Sequence, residues 1–270
     1  MSDPSAPLLS LCLSVDYRNH PCVLQDVRLE MKRGEILGLV GQSGSGKSTI
    51  ALAILRLLHM KGGVARGIVN FDGRNLLEIS EREMLALRGK EIGLVLQSPL
   101  SSLNPVLSIG RQLKEAWKIH ASGDSKLFAD VLGETMASVA LPHDEEFLRR
   151  RVSQISVGQA QRVLIAMAVL HHPSLLIADE PTSALDVITQ SEILGLFRKL
   201  NRELGVAILY ISHDLLSVGA LCDQVAVLQV GKIVEQGPVD EIFRTTSRAY
   251  SQELTISMRH GVSLLAKNTK

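Results

Sequence analysis

The eight residues Gly41-Gln42-Ser43-Gly44-Ser45-Gly46-Lys47-Ser48 fit the spacing G-x-x-x-x-G-K-[ST], and they stand directly after the apolar run Ile36-Leu37-Gly38-Leu39-Val40 and just before the apolar stretch Ile50-Ala51-Leu52-Ala53-Ile54-Leu55. A strand, a glycine-rich turn and a helix in that order confine the chain to folds in which a strand delivers a loop to a helix N-terminus. Glycines let the loop fold back until successive backbone N–H groups point inward, and the start of the helix adds the positive end of its dipole, so the concavity suits phosphates. In such a cradle Gly41, Ser43, Gly44 and Gly46 form the wall and Lys47 holds the β and γ phosphates of a nucleoside triphosphate. Ser48 offers a hydroxyl to Mg2+, and Thr49 reaches the α phosphate. A plain Gly/Ser turn is the alternative, and both flanking runs weigh against it. The motif does not say what the energy is used for.

The chain has 270 residues, 46% of them hydrophobic, enough for one large domain or one domain with an inserted subdomain. With 29 basic against 28 acidic residues the formal net charge is +1, so no bulk field recruits a polyanion. Aromatic residues make up only 3%, leaving few platforms for stacked bases, and nucleic acid is not expected as a ligand. Cys12, Cys22 and Cys222 are odd in number and lack metal-ligand spacing, which fits a reduced, cytoplasmic setting. The opening Met1-Ser2-Asp3-Pro4-Ser5-Ala6-Pro7 does not read as a signal peptide. The longest apolar runs, Val163 to Leu170 and Val206 to Ile211, are too short to span a bilayer, so any membrane role comes through a partner.

Strand-like segments at Leu8 to Val15 and Gln25 to Met31 precede the phosphate loop, and Gly67 to Gly73 reads as a strand ending in a turn. Apolar runs recur at Ile92 to Leu96, Leu175 to Ala178, Val206 to Ile211 and Gln224 to Leu228 with helix-length stretches between them. This predicts an α/β fold with a mainly parallel sheet and an antiparallel β region at the N-terminus. From Pro99 to Arg162 buried-strand runs give way to helical spacing, as in Leu113 with Trp117 and Leu127 with Val131, with turns at Ser122-Gly123-Asp124 and Leu141-Pro142-His143. The segment reads as an inserted α-helical subdomain, or more blandly as crossover helices.

Leu175-Leu176-Ile177-Ala178-Asp179-Glu180 ends an apolar strand in two carboxylates whose side chains would alternate in direction and so take separate roles. Asp179 would face Mg2+, and Glu180 would act as general base toward the attacking water. Alone, two acids before Pro181 also suit a surface turn. The run Val206 to Ser212 ends in His213, placed to meet the γ phosphate, and Gln97 closes the strand Ile92 to Leu96 within reach of Mg2+ or the water. Isolated residues of these types at strand ends more often cap turns.

The ordered set of phosphate loop, Gln97, Ile155-Ser156-Val157-Gly158-Gln159, Asp179-Glu180, Ser183-Ala184-Leu185-Asp186 and His213 resembles the ATP-binding-cassette (ABC) ATPases over residues from about 8 to 240. Within that family, Gln97 to Pro105 and Ile165 to Leu170 are similar to the importer ATPases for di- and oligopeptides and for nickel. The resemblance implies one P-loop NTPase domain over residues 1–270. Residues 8–97 and 163–238 would form the nucleotide-binding core, 98–162 the helical subdomain with the signature motif, and 239–270 a C-terminal tail. It also implies a head-to-tail pair of subunits with ATP between one subunit's phosphate loop and the other's signature. On this reading Ser156, Gly158, Gln159 and Asp186 serve nucleotide binding, Tyr17 stacks on adenine, and Glu180, His213 and Gln97 are catalytic. Two membrane permease subunits would be driven by hydrolysis and an extracytoplasmic binding protein would deliver the solute, placing this chain peripherally on the cytoplasmic face of the membrane. A soluble ABC switch protein outside transport is the rival class.

Two departures stand out. Val157 occupies the place of the signature's first glycine, where its β-branched side chain would hold a phosphate off or strain the loop, and this predicts a heterodimer with two unequal ATP sites. After Gly237-Pro238 the segment Ser247-Arg248-Ala249-Tyr250-Ser251 leads to Lys270 without further cysteines, so no iron–sulfur site is expected. Arg149-Arg150-Arg151 reads as a solvated helix end, His171-His172 as the cap of the preceding helix, and Leu58-His59-Met60 as packing.

Overall fold

The computed structural model describes residues 6–121 and 125–244. Residues 1–5, the expected turn at 122–124 and the tail from 245, including Tyr250, lie outside the described residues.

In chain order the elements are β1 (Leu9–Tyr17), β2 (His20–Met31), β3 (Ile36–Val40), α1 (Lys47–Ile54), β4 (Gly63–Phe71), β5 (Arg74–Asn75), α2 (Glu81–Leu87) and β6 (Ile92–Val95). There follow α3 (Pro99–Ser102), α4 (Ile109–Lys118), α5 (Ser125–Ser138), α6 (Glu145–Arg149), α7 (Val157–Val169), β7 (Leu175–Asp179) and α8 (Val187–Leu204). The chain continues through β8 (Ala207–Ser212), α9 (Leu215–Leu221), β9 (Gln224–Gln229), β10 (Lys232–Pro238) and α10 (Val239–Arg244).

Two sheets result. The N-terminal four-stranded sheet has the order β2-β1-β4-β5, with antiparallel pairing throughout. The six-stranded sheet has the order β10-β9-β3-β8-β7-β6, parallel except for the antiparallel edge strand β10. Every residue of β3 and β8 is buried, as expected for parallel strands covered on both faces. Alternation along these strands then decides which core each side chain joins. Leu37, Leu39, Leu209 and Ile211 pack with Leu11, Leu13 and Leu29 of the antiparallel sheet and with α1, whereas Ile36, Val40, Ile208 and Tyr210 face Phe197 of α8 and the helical segment.

Leu113, Met136, Phe147 and Ile165 belong to that second core, so the helical segment is welded to the sheet rather than built around a core of its own. The expected boundary between residues 162 and 163 falls inside α7. That helix is continuous from Val157 to Val169 and is buried over most of its circumference from Ala160 on, so no boundary falls there. Strand bounds shift as well: the stretch from Gly67 to Gly73 becomes β4, starting at Gly63, and β2 begins at His20. The edge strand β10, with its mixed Lys-Ile-Val-Glu-Gln-Gly-Pro composition, carried no apolar run to mark it.

Helix starts are set by side chains. Ser80 with Glu83 and Ser156 with Gln159 form reciprocal capping boxes on α2 and α7, and Ser108, Asp144 and Asp186 cap α4, α6 and α8. The sheet register pairs Val95 with Ala178, Asp179 with Ile211 and Val40 with Ser212. The carboxyl ends of β6, β7, β8 and β3 are therefore adjacent, and the segments leaving them converge.

Candidate active site

The phosphate loop leaves β3 at Gly41, where glycine is a spatial requirement. A Cβ there would lie 2.3 Å from the Leu228 carbonyl oxygen and 2.7 Å from Ser45 Oγ. Gly46 sits in the left-handed region at φ 106 and precedes α1 without a side-chain cap, so the first N–H groups of the helix keep their bonding capacity for a ligand. Lys47 is buried, and its Nζ donates to the Gly41 and Gln42 carbonyl oxygens at 2.8 and 3.0 Å. Burial pushes this ammonium below the ordinary lysine value, opposed by the Glu180 and Asp179 carboxylates.

Across the cleft, Ser48 Oγ donates to Asp179 Oδ1 at 3.1 Å. Burial raises the Asp179 carboxyl above its usual value, with the Ser48 bond opposing and the Glu180 charge adding to the rise. A hydroxyl and a half-buried carboxylate side by side are hard oxygen donors with charge to be neutralised, and they fit Mg2+.

Glu180 does not continue the strand. The expectation that Asp179 and Glu180 diverge by strand alternation is corrected here: β7 ends at Asp179, and Glu180 takes a left-handed φ of 48 while its N–H donates to the Ile211 carbonyl at 2.9 Å. A non-glycine residue in that region costs about 1–2 kcal/mol, a strain typical of functional positions. The turn places its carboxylate opposite the ends of β6 and β8, where Oε2 accepts from Gln97 Nε2 at 3.3 Å and meets His213 Nδ1 at 3.1 Å. Gln97, Glu180 and His213 are thus brought together, and a cleft of about 290 Å3 lies between Glu180, Gln97, Val23, Ser43, Gly44 and the residues from Gly46 to Thr49.

The signature segment and Asp186 stand apart from this cleft. Ser156 caps α7 and Asp186 caps α8, where the Thr189 N–H and hydroxyl hold the Asp186 carboxyl below its usual value. Gly158 lies against Thr189, whose Cγ2 is 2.7 Å from where a Cβ would stand. Val157 is the first residue of α7, 36% exposed and without positive φ, so the expected strain is not seen as left-handed backbone at this position. Tyr17 is half-buried against the N-terminal sheet, with its hydroxyl 3.5 Å from Thr49 Oγ1, and it does not line the cleft. Val23, which sequence reasoning passed over, does.

The lesser candidates resolve simply. Arg149 and Arg150 pair with Glu145 and Glu146 one turn back on α6, a solvated helix end. His172 takes φ 52 and donates its N–H to the Val169 carbonyl, capping α7 through its backbone, while the His171 ring stacks on Trp117 at 4.9 Å. Leu58 is buried and Met60 exposed.

Residues 24–183 match the ABC transporter family. The chain belongs to that family. Relatives include the oligopeptide transport ATP-binding protein OppD of Bacillus subtilis, 40% identical over 91% of this chain and 70% of its own length. The glutathione import ATP-binding protein GsiA of Salmonella paratyphi A is 38% identical over 86% of this chain and 38% of its own length. Among solved structures, cbiO1 of Clostridium perfringens, part of the ABC transporter complex cbiONQ, superposes with a TM-score of 0.78 at 25% identity, covering 96% of this chain and 99% of that one. The ATP-binding cassette MJ0796, solved as a dimer with ADP and Pi in a post-hydrolysis state, gives 0.72 at 26% identity over 86% of this chain and 98% of its own. This ABC protein is accordingly an ATP-hydrolysing transporter subunit that binds ATP.

Proposed function

We propose that this ABC ATPase is the motor of a peptide importer, clamping MgATP against a second ATPase subunit and driving two membrane permease subunits. The observation that carries the reading is one cleft at the carboxyl ends of the parallel strands lined by Lys47, Ser48, Gln97 and Glu180, with Asp179 bonded to Ser48 and His213 against Glu180. OppD and GsiA, named for oligopeptide transport and glutathione import, support a peptide as cargo. They also weigh against a soluble ABC switch; nickel is the alternative cargo.

Lys47 exchanges the Gly41 and Gln42 carbonyls for the β and γ phosphates, while the free N–H groups of the loop and α1 hold the remaining oxygens. Mg2+ at Ser48, Asp179 and Gln97 would neutralise charge on the phosphate oxygens. Glu180 Oε2 takes the proton of the attacking water, and Gln97, hydrogen-bonded to that carboxylate, and His213, 3.1 Å from it, fix its direction. Ser156, Gly158 and Gln159 complete the partner's site, as Asp186 does from the start of α8; the dimeric state of MJ0796 supports such pairing. Val157 projects outward from the segment that would meet the partner's nucleotide, which supports a heterodimer with one fast and one slow site. Tyr17, 3.5 Å from Thr49 through its hydroxyl, would reach adenine only from behind the cleft-lining residues.

Among the described residues no helix is long and apolar enough to cross a membrane. Leu96, Leu100 and Val106, exposed around Gln97 to Asn104, offer an apolar seat for a cytoplasmic helix of a permease, so the chain sits peripherally on the cytoplasmic face. An extracytoplasmic binding protein brings the peptide to the permease.

The test is co-reconstitution of the chain with its partner ATPase and permeases in proteoliposomes. Peptide-loaded binding protein should stimulate ATP hydrolysis and drive peptide uptake, both lost in Lys47→Ala. Uptake of nickel instead would overturn the cargo, and hydrolysis indifferent to any membrane component would overturn the motor reading.

A further inference from the structure

His213 is held to Glu180 by a loop whose own anchors lie on another helix. The next residue, Asp214, caps α9 by accepting from Leu216 N–H at 3.0 Å through Oδ1, and its other oxygen, Oδ2, accepts from Gln190 Nε2 at 2.7 Å. On the near side of His213, Ser212 Oγ accepts from the Asp214 N–H at 2.9 Å, and Ser217 Oγ donates to the Asp214 carbonyl at 2.7 Å. The loop is therefore closed on itself, and the Gln190 amide is the bond that ties it to α8. A cavity of about 170 Å3 lined by Glu180, Gln190, His213 and Asp214 leaves the space beside that bond open, while Leu215 packs α9 into the core it shares with α8.

Gln190 is one turn from Asp186, whose carbonyl accepts its N–H at 2.8 Å, and follows Thr189, against which Gly158 of the signature segment rests. Val187 and Ile188 beside it are each 75% exposed, so the start of α8 is accessible to whatever meets this face.

We propose that Gln190 is a positioning residue for His213: its amide fixes the imidazole against Glu180 and makes that placement follow the start of α8 and the signature segment leaning on it. The site serving this subunit's own ATP thereby reads the seam that faces the partner's. The inference rests on Glu180 and His213 acting in hydrolysis, as proposed above.

The experiment compares, in the assembled transporter, Gln190→Leu, Gln190→Glu, Asp214→Asn and the exchanged pair Gln190→Glu/Asp214→Asn. The exchanged pair restores the bond with donor and acceptor reversed and leaves an amide oxygen to cap α9. The single changes at Gln190 should lower kcat about tenfold while the KM for ATP stays within about twofold, the signature of lost transition-state positioning rather than lost binding. The exchanged pair should return kcat to within about threefold of wild type. Wild-type kcat in both Gln190 variants overturns the proposal, as does a loss that the exchanged pair fails to repair; should Gln190→Leu not fold, the two Gln190→Glu proteins decide alone. A Glu180→Gln control separates the readings: wild-type turnover there removes the hydrolytic assignment itself, whatever Gln190 does.

Discussion

Replacing Glu180 by Gln removes a base and one negative charge while keeping the shape of the side chain. The contacts at stake are those of Oε2, which accepts from Gln97 Nε2 at 3.3 Å and meets His213 Nδ1 at 3.1 Å. An amide oxygen in the same place keeps the Gln97 bond and the His213 contact, and the left-handed backbone at φ 48 costs Gln what it costs Glu, so folding stability should move by less than about 0.5 kcal/mol. ATP binding should be equal or tighter, because the phosphates no longer approach a carboxylate at the cleft wall. Chemistry should suffer alone: loss of a positioned general base is worth about 10²–10⁴ in rate, or about 2.7–5.4 kcal/mol of barrier. Single-turnover hydrolysis of radiolabelled ATP measures the chemical step, and size-exclusion chromatography with MgATP reports whether the two ATPase subunits stay clamped, as they should when hydrolysis stalls. A single-turnover rate within about threefold of wild type would refute the assignment of Glu180 as base.

Three further outcomes are expected. Gly41→Ala brings a Cβ to 2.3 Å from a backbone oxygen that cannot rotate away, so the loop must shift at about 1–3 kcal/mol and calorimetric ATP affinity should fall at least about tenfold; wild-type affinity would show that the loop is slack. Val157→Gly, at an exposed helix start, should raise ATPase of the assembled transporter up to about twofold as the slower site is freed, and an unchanged rate with two equally fast sites removes the asymmetry. Burial, with the His120, Lys90 and His172 charges adding and the Ala116 carbonyl opposing, holds the His171 imidazole below its ordinary value of 6.5. The unfolded chain therefore takes up this proton first, and as pH falls through about 6.5 the folded state loses stability until the folded site protonates as well. The melting midpoint, followed through the single Trp117, should drop over that window, and His171→Phe, which keeps a ring on Trp117, should flatten this part of the pH dependence.

What the sequence displayed and what it concealed divide along a physical line. β3, β7 and β8 were legible because strands covered on both faces must be apolar throughout, and the residues that follow them, Gly41 to Ser48, Glu180 and His213, stand where such runs stop. β10 was not legible because this edge strand has only half-buried and exposed positions and no apolar run to show. The turn at Glu180 left no mark either, since left-handed backbone is announced by glycine or asparagine and here a glutamate is forced into it by the bond to Ile211. Val23 and Gln190 share a subtler cause: each enters the site through a neighbour far along the chain, Val23 by the return of β2 beside the phosphate loop and Gln190 by a single bond across 24 residues to Asp214. Spacing rules report contacts that repeat with a helical or strand period, and a contact made once, between two elements brought together only by the sheet, has no period to report. The parts of this motor that perform chemistry at strand ends can therefore be read in one dimension, whereas the parts that aim them, Gln190 foremost, exist only after the sheet has set α8 beside the loop of His213.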